Sequence, residues 1–214
     1  MKKSYYFHDI IVIGDETMSI VELIEKYVKD KIEEYKLNAE DNYDFWNEHI
    51  KYVYEESVEL AKKYNANIEV VSLGALLHDI ALICKEGDRK AHHINGKKLA
   101  SEILEQFDYS GLMKDRVLKC VYNHRSSKNA ETIEELCVAD ADILAHFDNI
   151  PMLFNSAFNR NNIKLNEIRN WMKECFEKDY NDLSDRTKEI FHEKYETICE
   201  VVLGKDYLGG EYES

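Results

Sequence analysis

The sequence predicts an all-α fold organised as a single domain. Only one proline, Pro151, and eight glycines occur in the 214 residues, so few positions interrupt a helix. Along most of the chain, apolar residues recur at steps of three and four, the spacing that gathers them on one face of a helix. The length suits one well-filled domain, and we find no internal repeat, low-complexity segment or linker.

Residues 1–44 are predicted to form an N-terminal arm and a first helix that pack on the main domain. The run Ile10–Ile13 has the β-branched composition of a strand. One strand does not make a sheet, so we predict a buried arm instead. A helix is expected from about residue 17 to residue 35, with an apolar stripe of Ile20, Leu23, Ile24, Val28 and Ile32.

The main domain is predicted to span residues 45–203. Asp41 or Asn42 can cap its first helix, whose apolar stripe places His49 on or beside the buried face. The next helix, from about residue 68, is apolar nearly all round until the doublet His78-Asp79, which marks it as central. Further helices are expected at about residues 91–107, 112–124, 132–147, 164–177 and 183–203, followed by a flexible tail at residues 204–214.

Charge and cysteine usage exclude several classes of function. A formal net charge of -14 disfavours binding to nucleic acid or to an anionic membrane surface. No apolar stretch approaches the roughly 18–20 residues of a membrane span, and the N-terminus lacks a convincing signal peptide. Five cysteines without a CxxC pair indicate free thiols. We therefore expect a cytoplasmic protein.

Histidines and acidic residues at separate points in the chain form a candidate metal-ligand series. Imidazole nitrogens and carboxylate oxygens from different segments can fold onto one divalent cation. The strongest element is His78-Asp79, because burying an unpaired carboxylate after an apolar run is costly and a nearby cation removes that cost. The other candidates are His49, His92, His124 and one member of the pair Asp140 and Asp142.

Each candidate also has a purely structural interpretation, which the spacing leaves open. A single buried histidine such as His49 or His124 is commonly satisfied by a neighbouring side chain, and Asp79 can end a helix at the solvent. Asp140 and Asp142 point about 200° apart on a helix, so both cannot easily face one metal.

The local sequence resembles the HD-domain metal-dependent phosphohydrolases, a family named for the His-Asp doublet. The run GALLHDI at residues 74–80 resembles the end of the family's doublet-bearing helix. The run ADIL at residues 141–144 resembles its later acidic segment, which favours Asp142 over Asp140. The segment that begins at His92 resembles one further family motif, and the segment that ends at His124 resembles another. The resemblance covers roughly residues 47–203.

The resemblance implies an HD-domain-like helical bundle with one or two divalent metal ions. It assigns the first metal to His49, His78, Asp79 and Asp142. His92 and His124 match positions that bind a second metal or face the substrate, so the candidate catalytic residues are Asp79, His92 and His124. Mn, Fe, Co, Ni, Zn and Mg all suit such ligands.

A phosphorylated substrate needs additional cations near the metal. Arg125 follows His124 directly, while Lys85, Arg89 and Lys128 lie in the two loops that flank the site. A guanidinium suits a bidentate phosphate contact best, so Arg125 is the favoured substrate-binding residue. The alternative interpretation of the other three residues is that they are ordinary solvent-exposed charges.

We expect a hydrolase that cleaves a phosphoester or phosphoanhydride bond of a small phosphorylated metabolite, with a nucleotide as the expected class. Two alternatives stay open: a non-catalytic metal- or nucleotide-binding module, and a di-iron oxygenase of the HD-like group. Leu82 motivates the first alternative, because the 5′-deoxynucleotidase branch carries an acid there. Ile80-Ala81 likewise differ from the cyclic-di-nucleotide phosphodiesterase branch. A homo-oligomer is compatible with the sequence.

Overall fold

The structure is a computed structural model that describes residues 6–7, 10–13, 16–39 and 43–204. Within these ranges the chain is a bundle of α-helices with a small N-terminal sheet, so the predicted all-α class is confirmed. No helix among these residues has both the length and the apolar character needed to cross a membrane. The predicted cap at Asp41 or Asn42 and the predicted tail beyond residue 204 lie outside the described residues.

The N-terminal segment forms a three-stranded antiparallel sheet in the order β1-β2-β3. Its strands are β1 (Tyr6–Phe7), β2 (Ile10–Ile13) and β3 (Glu16–Ser19). The prediction of a buried arm instead of a strand at Ile10–Ile13 was therefore wrong. Antiparallel strands need only short connections, so residues just before and after that run supply both partners.

Helix α1 (Ile20–Asn38) begins with a capping box. The Ser19 hydroxyl accepts from the Glu22 amide at 3.3 Å, and the Glu22 carboxylate accepts from the Ser19 amide at 2.7 Å. The predicted apolar stripe is buried along the helix. Packing of this stripe against the main bundle fixes α1 to the domain.

Three helices make up the centre of the bundle. A π-helix (Trp46–Ile50) leads into α2 (Lys51–Tyr64), which packs along α3 (Ile68–Leu77) and α7 (Ile133–Asp148). Residues 70–77 of α3 are all buried, which confirms the prediction of a central helix.

Shorter segments and two further helices surround α3. They are α4 (Ile80–Ile83), a 3₁₀ turn (Arg89–Ala91), α5 (His92–Gln106), α6 (Gly111–Asn123) and a second 3₁₀ turn (Ser127–Asn129). Helix α6 approaches α3 closely because position 74 is glycine. A Cβ at that position would lie 2.6 Å from the Cβ of Cys120.

The C-terminal part contains a segment that the periodicity does not predict. Helix α8 (Ile150–Asn155) and a π-helix (Ser156–Arg160) follow α7 directly. Asn149 caps α8 and the proline lies in the first turn, where it is tolerated. Helix α9 (Ile168–Asp182) lies a few residues later than predicted, and α10 (Asp185–Leu203) follows it.

Candidate metal centre

The structure brings the six predicted metal-binding residues together: five of them line the floor of one pocket, and His78 is buried against that floor. The π-helix before α2, the α3–α4 junction, the start of α5, the end of α6 and the middle of α7 all contribute. The six residues are His49, His78, Asp79, His92, His124 and Asp142.

A break between two helices lets both members of the doublet reach the floor. Helix α3 ends at Leu77, Asp79 adopts φ -105° and ψ 16°, and α4 begins at Ile80. The Asp79 carbonyl accepts from the Leu82 amide at 2.9 Å, which starts the new turn. Successive residues of an unbroken helix diverge by about 100°, so the break is what keeps His78 and Asp79 on the same site.

Two hydrogen bonds from Asn149, the residue after α7, hold the π-helix that carries His49. The side-chain amide of Asn149 donates to the Glu48 carbonyl and to the Glu48 carboxylate, both at 2.9 Å. π-Helical segments are often found at functional sites. The Nε2 atom of His49, within this segment, lies 3.0 Å from the Asp142 carboxylate.

Backbone carbonyls fix the tautomers of three imidazoles. The Nδ1 atoms of His78, His92 and His124 lie 2.7, 2.8 and 2.7 Å from the carbonyl oxygens of Ala75, Arg89 and Val121 respectively. A carbonyl oxygen can only accept, so each Nδ1 carries the proton and donates it. In a neutral ring the Nε2 atom then presents a lone pair to the site.

The Nε2 atoms of the four histidines lie in two close pairs. The Nε2 atoms of His49 and His78 are 3.1 Å apart, and those of His92 and His124 are 2.9 Å apart. In the second pair both Nδ1 atoms donate to carbonyls, so neutral rings have no proton to place between the Nε2 atoms. A cation beside the two nitrogens satisfies both lone pairs at once.

Asp79 faces both histidine pairs. Its Oδ2 atom lies 3.7 Å from the Nε2 atoms of His49 and His78, while Oδ1 lies 3.2 Å from His92 and 3.8 Å from His124. Two groups of ligand atoms result, His49–His78–Asp79 and Asp79–His92–His124, each within 4.8 Å. Either group has the ligand types to hold a divalent metal ion, and Asp79 belongs to both groups.

Burial and the neighbouring imidazoles shift the pKa values of three side chains at the floor. Burial raises the pKa of Asp142, but the hydrogen bond from His49 and the neighbouring imidazoles outweigh it and leave the pKa well below its usual range. Burial likewise opposes ionisation of Asp79, and nearby His78 and His49 outweigh it and lower its pKa. Burial and repulsion from His78 lower the pKa of His124 to about 4, so this ring is neutral at pH 7.

Asp140 lies on the other side of α7 and has a different environment. Its carboxylate accepts from the hydroxyls of Ser127 at 2.6 Å, Ser184 at 2.5 Å and Thr187 at 2.6 Å, and from the Ser184 amide at 2.9 Å. The side chain is fully buried and these donors surround it. Of the two acidic residues, the structure thus places Asp142 beside the histidines.

The pocket above the floor has a volume of about 850 Å³ and a basic rim. The predicted substrate-binding residues Arg89 and Arg125 line it, and the Arg125 guanidinium donates to the Lys90 carbonyl at 3.0 Å. The other two predicted residues lie elsewhere. Lys85 donates to the Asn38 carbonyl at 3.3 Å, and Lys128 forms an ion pair with Asp182 at 3.2 Å.

Sequence reasoning missed several residues of the pocket wall, among them His146 and Arg160. His146 follows Asp142 by one helical turn, so the periodicity of α7 could have revealed it. Burial lowers its pKa, but the Asp179 carboxylate, 2.9 Å from Nδ1, outweighs burial and raises it. Arg160 also lines the pocket, over the Tyr43 ring at 4.9 Å. No sequence signal indicated Arg160, because the segment after α7 had no predicted structure.

Comparison with known proteins agrees with this description. Residues 46–146 match the model of the HD domain. A solved structure described as a predicted HD superfamily hydrolase, from an uncultured Thermotogales bacterium, is similar with a TM-score of 0.59. The alignment covers 90% of this chain and 98% of that one at 18% identity, and it supports the fold.

A curated relative is similar over part of its length. This relative is a tRNA (cytidine(56)-2'-O)-methyltransferase from Thermoplasma volcanium, 36% identical over 126 residues. The match covers 51% of this chain and 33% of the relative, so the chain spans about a third of the length of that protein.

The fold and the floor of the pocket together define an all-α protein with a His/Asp cluster able to hold divalent metal ions. The doublet of that cluster, His78-Asp79, lies within the matched residues 46–146. Residues 46–146 of the chain therefore match the HD domain, and the solved neighbour has a similar fold.

Proposed function

We propose that this protein is a metal-dependent phosphohydrolase that acts on a small phosphorylated metabolite, with a nucleotide as the substrate class. The observation that carries the proposal is the position of Asp79 between two histidine pairs, at the floor of a pocket with a basic rim. The HD-domain match and the hydrolase-like structural neighbour support the general class. The proposal includes a cytoplasmic location.

The cations held by these ligands would lower the pKa of a bound water toward neutrality and neutralise charge on a phosphate oxygen. The chain's own residues would set the geometry. Asp79 positions the two histidine pairs relative to each other, and the carbonyls of Ala75, Arg89 and Val121 hold the imidazole rings in orientation.

The rim would bind and orient the substrate. The Arg125 guanidinium donates to the Lys90 carbonyl, so one edge of the group is fixed before the substrate binds. A fixed guanidinium presents paired N–H donors to phosphate oxygens, which holds the reacting group close to the floor. A pocket of about 850 Å³ has room for a nucleotide, since small-molecule sites span roughly 300–1,000 Å³.

The test is phosphate release by purified protein loaded with Mn²⁺ or Co²⁺ and incubated with nucleotides and phosphomonoesters. We expect Asp79→Asn to lower kcat/KM at least about a hundredfold, because even partners behind metal ligands contribute 10–100-fold. Asp148→Asn is the control, since Asp148 is also an acidic residue, lies at the end of α7, pairs with Lys194 and does not line the pocket.

The same assay separates the alternatives. Tight nucleotide binding without release of phosphate would favour a non-catalytic binding module. Oxygen consumption after anaerobic loading with iron, without phosphate release, would favour a di-iron oxygenase. Undiminished activity in Asp79→Asn would refute the assignment of the floor as the reaction centre.

A further inference from the structure

The arginine and lysine side chains that line the pocket differ in their ion pairing from many others on this acidic chain. With a net charge of -14, carboxylates are abundant, and surface lysines such as Lys26, Lys36 and Lys62 have them as ion-pair partners. Four basic residues line the pocket, and none of them is within 4.0 Å of a carboxylate oxygen in the described part of the chain. The four are Arg89, Lys90, Arg125 and Arg160.

Two of these guanidiniums are held in place by neutral groups. Arg125 donates to the Lys90 carbonyl at 3.0 Å, and Arg160 lies 4.9 Å from the centre of the Tyr43 ring. Neither a carbonyl nor an aromatic ring neutralises the charge it orients. Both side chains are exposed at the rim, so their charge is available to an anionic ligand.

The two guanidiniums come from different segments of the chain. Arg125 is next in sequence to His124 and is bonded to the turn that precedes His92, so it is tied to the second histidine pair. Arg160 is carried by the π-helix after α8, a segment that contributes none of the six floor residues.

We propose that the substrate carries at least two phosphate groups and that Arg160 binds a phosphate other than the one that is hydrolysed. The inference rests on the proposed function for the identity of the floor as the site of cleavage. One phosphate group on the floor with Arg125 beside it leaves Arg160 without an anion. A second phosphate along the same molecule would supply that anion within the same cavity.

The experiment compares two ligands that resist hydrolysis. The phosphonate analogue of adenosine monophosphate carries one anionic group, and the methylene-bridged analogue of adenosine diphosphate carries two. Titration calorimetry on metal-loaded protein gives their affinities for the wild type, Arg160→Gln and Arg160→Lys. We expect Arg160→Gln to weaken the two-group ligand at least about tenfold and the one-group ligand less than about twofold. Arg160→Lys keeps the positive charge but lacks the planar guanidinium with its paired N–H donors, so it should give an intermediate loss of affinity for the two-group ligand.

Arg186→Gln is the matched control. Arg186 also lies over a tyrosine ring, 4.8 Å from the centre of Tyr64, but it does not line the pocket. This variant should bind both ligands like the wild type. Equal losses for the two ligands in Arg160→Gln, or no loss for either, would overturn the proposal. Binding is measured without turnover, so the comparison does not depend on hydrolysis. Failure to release phosphate in the activity assay would refute the proposed function, whereas the two affinities would still test the role of Arg160.

Discussion

The two oxygens of Asp79 organise the candidate centre at the scale of single residues. Oδ2 faces His49 and His78, and Oδ1 faces His92 and His124, because the carboxylate lies between the two histidine pairs. A carboxylate can bridge two cations in this way, whereas an imidazole contributes one nitrogen to one cation. Loss of a single histidine should therefore weaken metal binding at one histidine pair and leave the other pair intact.

His49→Gln and His124→Gln test this division, since each removes a nitrogen from a different pair. We expect about two divalent ions per wild-type chain and about one in each variant, because the remaining pair keeps both nitrogens and an oxygen of Asp79. Elemental analysis by plasma mass spectrometry after gel filtration measures the count. His192→Gln should match the wild type, as His192 lies exposed on α10 beside Glu196. If His124→Gln lost both ions, a single shared site would replace the two-cation description.

At the scale of elements, Asp140 ties three segments together. It lies in α7, and its hydrogen bonds reach the 3₁₀ turn after α6 through Ser127 and the start of α10 through Ser184 and Thr187. Thr187 also bonds the Tyr64 hydroxyl at 2.8 Å, which extends the network to α2. The network thus joins the helices that carry Asp142 and His124 on the side away from the pocket.

Replacement of Asp140 by alanine should destabilise the fold. The change removes the shared acceptor and leaves several buried donors without a partner, which we expect to lower the free energy of unfolding by about 3 kcal/mol or more. Urea denaturation of metal-free protein measures the loss. Asp30→Ala is the comparison, because Asp30 is an exposed residue paired with Lys26, and a surface change costs about 0.5 kcal/mol or less. Similar losses in the two variants would contradict a structural role for the network.

At the scale of the whole molecule, the floor connects segments that are far apart in sequence. His49 and Asp142 are separated by most of the domain, yet their side chains are 3.0 Å apart. A cation bound by such residues binds the folded chain and not the unfolded one. Metal binding therefore adds directly to the stability of the bundle.

Removal of metal should lower the melting temperature of the protein. A ligand present at 100 times its dissociation constant adds about 2.7 kcal/mol, which corresponds to roughly 5–10 °C for a chain of this size. Differential scanning fluorimetry with and without a chelator measures the shift. Asp79→Asn should show a much smaller shift, since it lacks the shared ligand. A chelator effect of equal size in both proteins would point to metal bound elsewhere.

Local sequence was sufficient to predict the helices with strong periodicity and the candidate ligands with distinctive neighbours. The apolar run before His78-Asp79 predicted the central helix, and the same run made the buried carboxylate conspicuous. The sheet formed by β1, β2 and β3 was not predicted. Its strands have only two to four residues each, which is too short to show an alternation of apolar and polar residues. The segment containing α8 and Arg160 was also missed, since a helix of six residues is too short for a clear apolar stripe.

By itself, the sequence determined the all-α class, the central position of α3 and the residue types able to hold a divalent metal. Helical periodicity and residue chemistry are local properties, so they can be read directly from the chain. Only the tertiary structure decided that Asp79 lies between two histidine pairs, that Asp142 faces them while Asp140 is enclosed by hydroxyls, and that Arg160 reaches the same pocket. These relations depend on distances between segments, and such distances are set by the packing of helices against one another.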